Sequence, residues 1–90
     1  MEKSIHSTQY AAFLKVLRHT RKRSGFTQIQ LAEKIAETQT FVSKCERGER
    51  RIDVVELRSF CEAFGMPLKQ FVTVFEKAIE ASSPGKREKH

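Results

Sequence analysis

The residue types best suited to chemistry lie close together: Gln39, Thr40, Ser43 and Lys44, with Arg47 just beyond. A glutamine amide sets a donor beside an acceptor and so pairs bidentately with adenine. Lysine donates to guanine O6 and N7 or to a phosphate, and the threonine methyl meets that of thymine. This is hydrogen-bonding chemistry aimed at base edges in a major groove. Around it stand groups suited to phosphate oxygens: Lys22, Arg23 and Thr27 upstream, Arg47, Arg50 and Arg51 downstream. The sequence holds no catalytic constellation. His6, His19 and His90 are scattered, no H-E-x-x-H or nucleophile-elbow motif occurs, and the glycines form no phosphate-binding loop. Cys45 and Cys61 stand in no C-x-x-C or His-paired spacing. The expectation is therefore a binding protein and not an enzyme, with no metal, no cofactor, and both thiols reduced and buried.

Two short helices in tandem must position these side chains. Thr27 and Gln30 have the residue types and spacing of a capping box, and Thr38 is the N-cap candidate of a second helix. Only Ala36 and Glu37 separate Ile35 from that cap, so the helices must cross steeply and the second must project, as in a helix-turn-helix. At about 100° per residue from Gln39, the set Gln39, Ser43, Arg47, Thr40 and Lys44 spans roughly 140° of arc. Phe41, Val42 and Cys45 occupy the arc from about 200° to 300°. One face is a donor and acceptor array; the other is a core stripe.

The runs Phe26-Thr27-Gln28-x-x-Leu31-Ala32-x-Lys34-Ile35 and Thr38-Gln39-Thr40-Phe41-Val42-Ser43-Lys44-x-Glu46-Arg47-Gly48, with the later Leu57 and Phe64-Gly65-Met66, carry a resemblance. Over about residues 14–66 the chain resembles the phage-repressor and Cro-like helix-turn-helix domains, often called the XRE family. The resemblance implies an all-α fold, a compact five-helix lambda-repressor-like DNA-binding domain. It also implies that Gln28 binds a phosphate and braces Gln39, while Thr40, Ser43 and Lys44 complete the base and phosphate contacts. Arg21 and Glu46 match family positions whose ion pair ties the first helix to the reading helix, and are expected to be partly buried. Removing one partner of such a pair typically costs about 3–5 kcal/mol, against about 0–1 kcal/mol for a surface pair. One residue departs from the pattern: Ala36 stands where the family usually has Gly in the turn. A left-handed backbone there would carry a strain of about 1 kcal/mol.

Ninety residues with 39% hydrophobic content suffice for one small domain without staples, and a net charge of +6 favours a polyanionic partner. No acidic residue lies between Lys3 and Ala32, where Lys15, Arg18, Arg21, Lys22 and Arg23 crowd the first helix. That helix is expected from Thr8 to Ser24, on the spacing of Tyr10, Phe13, Leu14 and Leu17, and Gly25 ends it. Asp53 with Glu56 caps a fourth helix that Gly65 stops, and Pro67 opens a fifth reaching Ala81. The expected organisation is an N-terminal arm over 1–7, the helix-turn-helix domain over 8–81, and a disordered basic tail over 82–90. With neither a signal-peptide run nor a membrane-length segment in the sequence, a cytoplasmic protein with no membrane partner is expected.

These readings converge on a sequence-specific, double-stranded-DNA-binding transcriptional regulator: a small repressor acting as a homodimer on a palindromic operator. At this length no separate ligand-sensing domain is expected. On the fifth helix, Leu68, Val72, Phe75 and Ile79 are expected to cover the core. Phe71, Val74 and Ala78 extend a shoulder expected to form the dimer interface. The alternative is an antitoxin-like or adaptor protein that uses the helix-turn-helix scaffold for protein–protein interaction.

Overall fold

The computed structural model describes residues 2–82, with side chains described for 8–81. Five helices follow one another: α1 (Glu2–Arg23), α2 (Gln28–Lys34), α3 (Gln39–Glu46), α4 (Val54–Phe64) and α5 (Leu68–Ser82). Among the described residues there is no strand. The fold is all-α and lambda-repressor-like in its element order.

Local chemistry sets most boundaries. Thr27 and Gln30 form a full capping box, the threonine hydroxyl accepting from the Gln30 amide at 3.1 Å while the Gln30 side chain accepts from the Thr27 amide at 2.9 Å. Asp53 and Glu56 do the same for α4, and the Thr38 hydroxyl accepts from the Phe41 amide to start α3. Each of these caps satisfies amides that a helix N-terminus otherwise leaves bare. At the other ends, α1, α3 and α4 close on left-handed glycines: Gly25, Gly48 and Gly65. Backbone bonds such as Phe26 N to Arg21 O and Glu49 N to Lys44 O wrap the last turns. The first helix starts at Glu2, earlier than the Thr8 read from the sequence, so the backbone of 2–7 is helical where an arm is expected. No Gly or Pro interrupts that stretch. Of the tail expected over 82–90, Ser82 closes α5 and the rest lies outside the described residues.

Every helix feeds one core: Phe13, Val16 and Leu17 from α1, Leu31 and Ala32 from α2, Val42 and Cys45 from α3, Leu57, Phe60 and Cys61 from α4, and Phe71 from α5. Burying each large side chain is worth about 1.5–3 kcal/mol. Phe71 corrects the sequence reading. It is 1% exposed, edge-on to Phe13 at 5.9 Å, so it belongs to the core and not to a dimer surface. Leu68, Phe75 and Ala78 pack against the same core, with Phe75 edge-on to Phe13 at 5.9 Å. Val72, expected to face inward, is instead 41% exposed. The buried face of α5 is thus rotated from the expected one, because the aromatic cluster on α1 draws Phe71 and Phe75 together onto Phe13. Among the described residues no helix is long and apolar enough to cross a membrane.

Candidate nucleic-acid interface

The candidate interface begins with the turn between α2 and α3. The amides of Ala36 and Glu37 reach back to Glu33 O at 3.3 Å and Ala32 O at 2.9 Å, the closure seen at α1 and α3. Here the left-handed residue is Ala36, with φ 59°, so alanine takes the conformation that glycine takes elsewhere in the chain. The turn therefore keeps its tight geometry, and α3 starts at once on the Thr38 cap.

Val42 and Cys45 of α3 are fully buried, and Phe41 packs on Phe60 at 6.4 Å between ring centroids. That fixes the helix about its axis. Gln39, Thr40, Lys44 and Arg47 are exposed and Ser43 is half-buried, so the five outward residues share the open face. Burial raises the Cys45 thiol above its ordinary pKa, an effect that the neighbouring Arg50 partly opposes.

Behind this face runs a continuous chain of hydrogen bonds. Arg21 on α1 grips Glu46 with two donors, Nε to Oε2 at 2.6 Å and Nη2 to Oε1 at 3.0 Å, with both side chains less than a tenth exposed. The remaining Nη1 of Arg21 donates to the Phe26 carbonyl at 2.9 Å, holding the loop before α2. Glu46 Oε1 also accepts from Gln28 Nε2 at 3.0 Å, and Gln28 Oε1 accepts from Gln39 Nε2 at 2.9 Å. Among the described residues Glu46 Oε1 thus joins the buried pair to the exposed amides, and Gln39 keeps its Oε1 and its second N–H open. The Gln28–Glu46 bond is absent from the sequence reading. Glu46 lies at about 340° on the helical wheel, at the edge of the outward face, and that is the one local sign that it turns toward α2.

The cations divide into groups. Among the described residues Lys22, Arg23 and Lys44 are exposed and make no ion pair. Arg47 donates to Ser43 Oγ and pairs with Glu49 at 2.9 Å, and its guanidinium holds the exposed Glu49 carboxyl below its ordinary pKa. Arg50, read from the sequence as a phosphate ligand, is bound internally. It forks onto Glu56 at 2.8 Å through both terminal nitrogens, donates to the Arg51 carbonyl, and lies 4.7 Å over the Phe41 ring. Those bonds hold the Glu56 carboxyl below its ordinary range. Arg50 therefore ties the loop after α3 to the start of α4, across a loop whose path no helical spacing sets. Arg51 stacks 4.4 Å over Tyr10, whose hydroxyl accepts from the Ile52 amide at 3.2 Å. Thr27 caps α2 with its hydroxyl oxygen. Cys45 and Cys61 are free and buried, and no cluster of metal-ligating groups forms among the described residues.

Residues 10–71 match a family described as helix-turn-helix domain. Among solved structures, an XRE-family like protein from Pseudomonas syringae pv. tomato str. DC3000 superposes with a TM-score of 0.78 at 38% sequence identity. The match covers 84% of this chain and 93% of that one. No curated protein matches.

Proposed function

The chain belongs to the XRE-type helix-turn-helix family, a family of DNA-binding domains, and from that premise we propose that it is a sequence-specific regulator of transcription that represses by occupying a promoter. The observation that carries the reading is the pair of bonds that holds Gln39 through Gln28 at the open edge of α3, beside Thr40, Ser43 and Lys44. A base-reading amide works when its geometry is set before it meets DNA. Gln39, Thr40, Ser43 and Lys44 read bases. Thr27, Lys22, Arg23, Arg47, Arg51 and the second N–H of Gln28 hold phosphates, while Arg50 leaves that set for its structural clamp.

Selection of bound fragments from random duplex DNA tests this. The wild type should enrich a defined motif with a steep salt dependence, and Gln39→Ala should relax one operator position by about 1–3 kcal/mol. A wild type that enriches no motif, or a Gln39→Ala profile identical to the wild type, overturns the assignment.

An α3 of eight residues reads few base pairs, so a homodimer on inverted half-sites supplies the rest of the specificity. With Phe71 in the core and Ala78 packed against it, α5 retains the exposed Val74 for that contact. Val54 and Val55, 63% and 71% exposed at the start of α4, form a second apolar surface. Sedimentation of Val74→Glu and Val55→Glu assigns the interface to whichever variant dissociates the dimer; a monomeric wild type at micromolar concentration removes the dimer. If a dimer persists in both variants, neither surface holds it.

A further inference from the structure

Glu46 belongs to the ion pair that locks α1 to α3, yet its Oε1 also faces the reading amides. We propose that Glu46 is a positioning residue for base choice: its charge fixes the direction of the hydrogen-bond chain Glu46–Gln28–Gln39, so that Gln39 selects adenine and rejects guanine. The proposal rests on α3 being the reading helix.

A carboxylate paired with a guanidinium offers acceptors only. Gln28 must therefore turn its Nε2 toward Glu46 Oε1, as it does at 3.0 Å, and this leaves its Oε1 for Gln39. Gln39 must in turn give one N–H to that oxygen, as it does at 2.9 Å. Neither amide can be flipped without setting donor against donor or acceptor against acceptor. What Gln39 presents outward is then one acceptor and one donor. Adenine shows the complement, an N6 donor beside the N7 acceptor, whereas guanine shows two acceptors, O6 and N7. Gln39 Oε1 would face guanine O6 with no proton between them. An amide free to rotate can also turn its NH2 toward the two guanine acceptors, so the buried charge, handed outward along the chain, closes that option and sharpens the preference for adenine.

Glu46→Gln tests the direction. Of the two Arg21 contacts the one from Nε is the shorter, 2.6 Å against 3.0 Å, so the new amide keeps its oxygen there. Its NH2 then faces Gln28, and the whole chain reverses. Gln39 would accept from Gln28 and show two donors outward, matching guanine. A second variant, Arg21→Met with Glu46→Leu, replaces the pair by apolar groups, which is commonly neutral or stabilising for a fold. It leaves Gln28 without a directing partner.

Purified proteins, their fold checked by circular dichroism, are put through the same selection from random duplex DNA. The wild type should prefer adenine over guanine at one position by about ten-fold or more. Glu46→Gln should invert that ratio, and the double variant should lower it toward that of an undirected glutamine, with the other positions of the motif unchanged. A brace that only stiffened α3 would weaken every position alike. If either folded variant keeps the wild-type adenine-to-guanine ratio, the proposal is overturned. Where Glu46→Gln does not fold, the double variant alone decides. A wild type that selects a motif while the variants leave its profile untouched refutes only this proposal; a wild type that selects none refutes the DNA reading and this proposal with it.

Discussion

Replacing Ala36 by glycine should make the protein more stable, although the side chain removed is a single methyl. Ala36 sits at φ 59° in the closure of α2, where Gly25, Gly48 and Gly65 serve α1, α3 and α4. An L-residue in that region carries a strain of about 1–2 kcal/mol from its Cβ against the following carbonyl. Glycine removes the strain but adds freedom to the unfolded chain, which offsets about 0.4–1 kcal/mol of the gain. The difference favours Ala36→Gly by about 0.5–1 kcal/mol, or roughly 2–8 °C in Tm for a domain of this size. Thermal and urea melts, followed by circular dichroism, measure it directly. Gly25→Ala is the mirror experiment. Its added Cβ would meet nothing within 4 Å, so the whole effect is conformational and should lower stability by about 0.5–1 kcal/mol. An Ala36→Gly variant with an unchanged or lower midpoint would refute the assignment of strain to the turn.

Gly48→Ala should be more damaging than Gly25→Ala, because φ is 81° and the new Cβ would also lie 3.1 Å from Leu14 Cδ1 on α1; urea midpoints of the two variants give the comparison. Phe71→Ala should cost about 3–5 kcal/mol as a core truncation, read by the same melts, whereas a surface position would lose less than about 0.5 kcal/mol. Alkali should also weaken the fold. Burial raises the Cys61 thiol to a pKa of about 11, so the folded protein keeps a proton that the unfolded chain releases at the ordinary thiol value. This contribution is complete below the ordinary thiol pKa and is lost as pH climbs from there to about 11. Urea melts near neutrality and at about pH 10 should therefore differ less for Cys61→Ala than for the wild type, each taken against its own neutral value.

What the sequence made legible was whatever chemistry closes within a turn of helix. Thr27 with Gln30, Thr38, and Asp53 with Glu56 announce helix starts because each cap is a bond between residues three apart. Gly25 and Gly65 announce ends for the same local reason. The outward face of α3 was legible too, since Val42 and Cys45 leave only one orientation for an eight-residue helix. The face of α5 was not. Its apolar residues span more arc than a single contact needs, and the choice among them is made by Phe13, far away in sequence. The Gln28–Glu46 bond and the Arg50 clamp escaped for a related reason: a polar side chain shows its type in the sequence, but its partner is set only by packing.

The division of α3 into two faces also bears on how such a protein changes over time. Gln39, Thr40 and Lys44 contribute little to the core, so exchanging them should shift stability by no more than about 0.5 kcal/mol each. New recognition can then be explored by single substitutions while the fold stays above its threshold for survival, and a designer can graft other readers onto the same frame. Glu46 is where that independence ends. Any lineage that changes residue 39 meets the acceptor Gln28 Oε1, whose direction Glu46 and Arg21 hold, and must either choose a residue that accommodates it or rebuild the joint between α1 and α3.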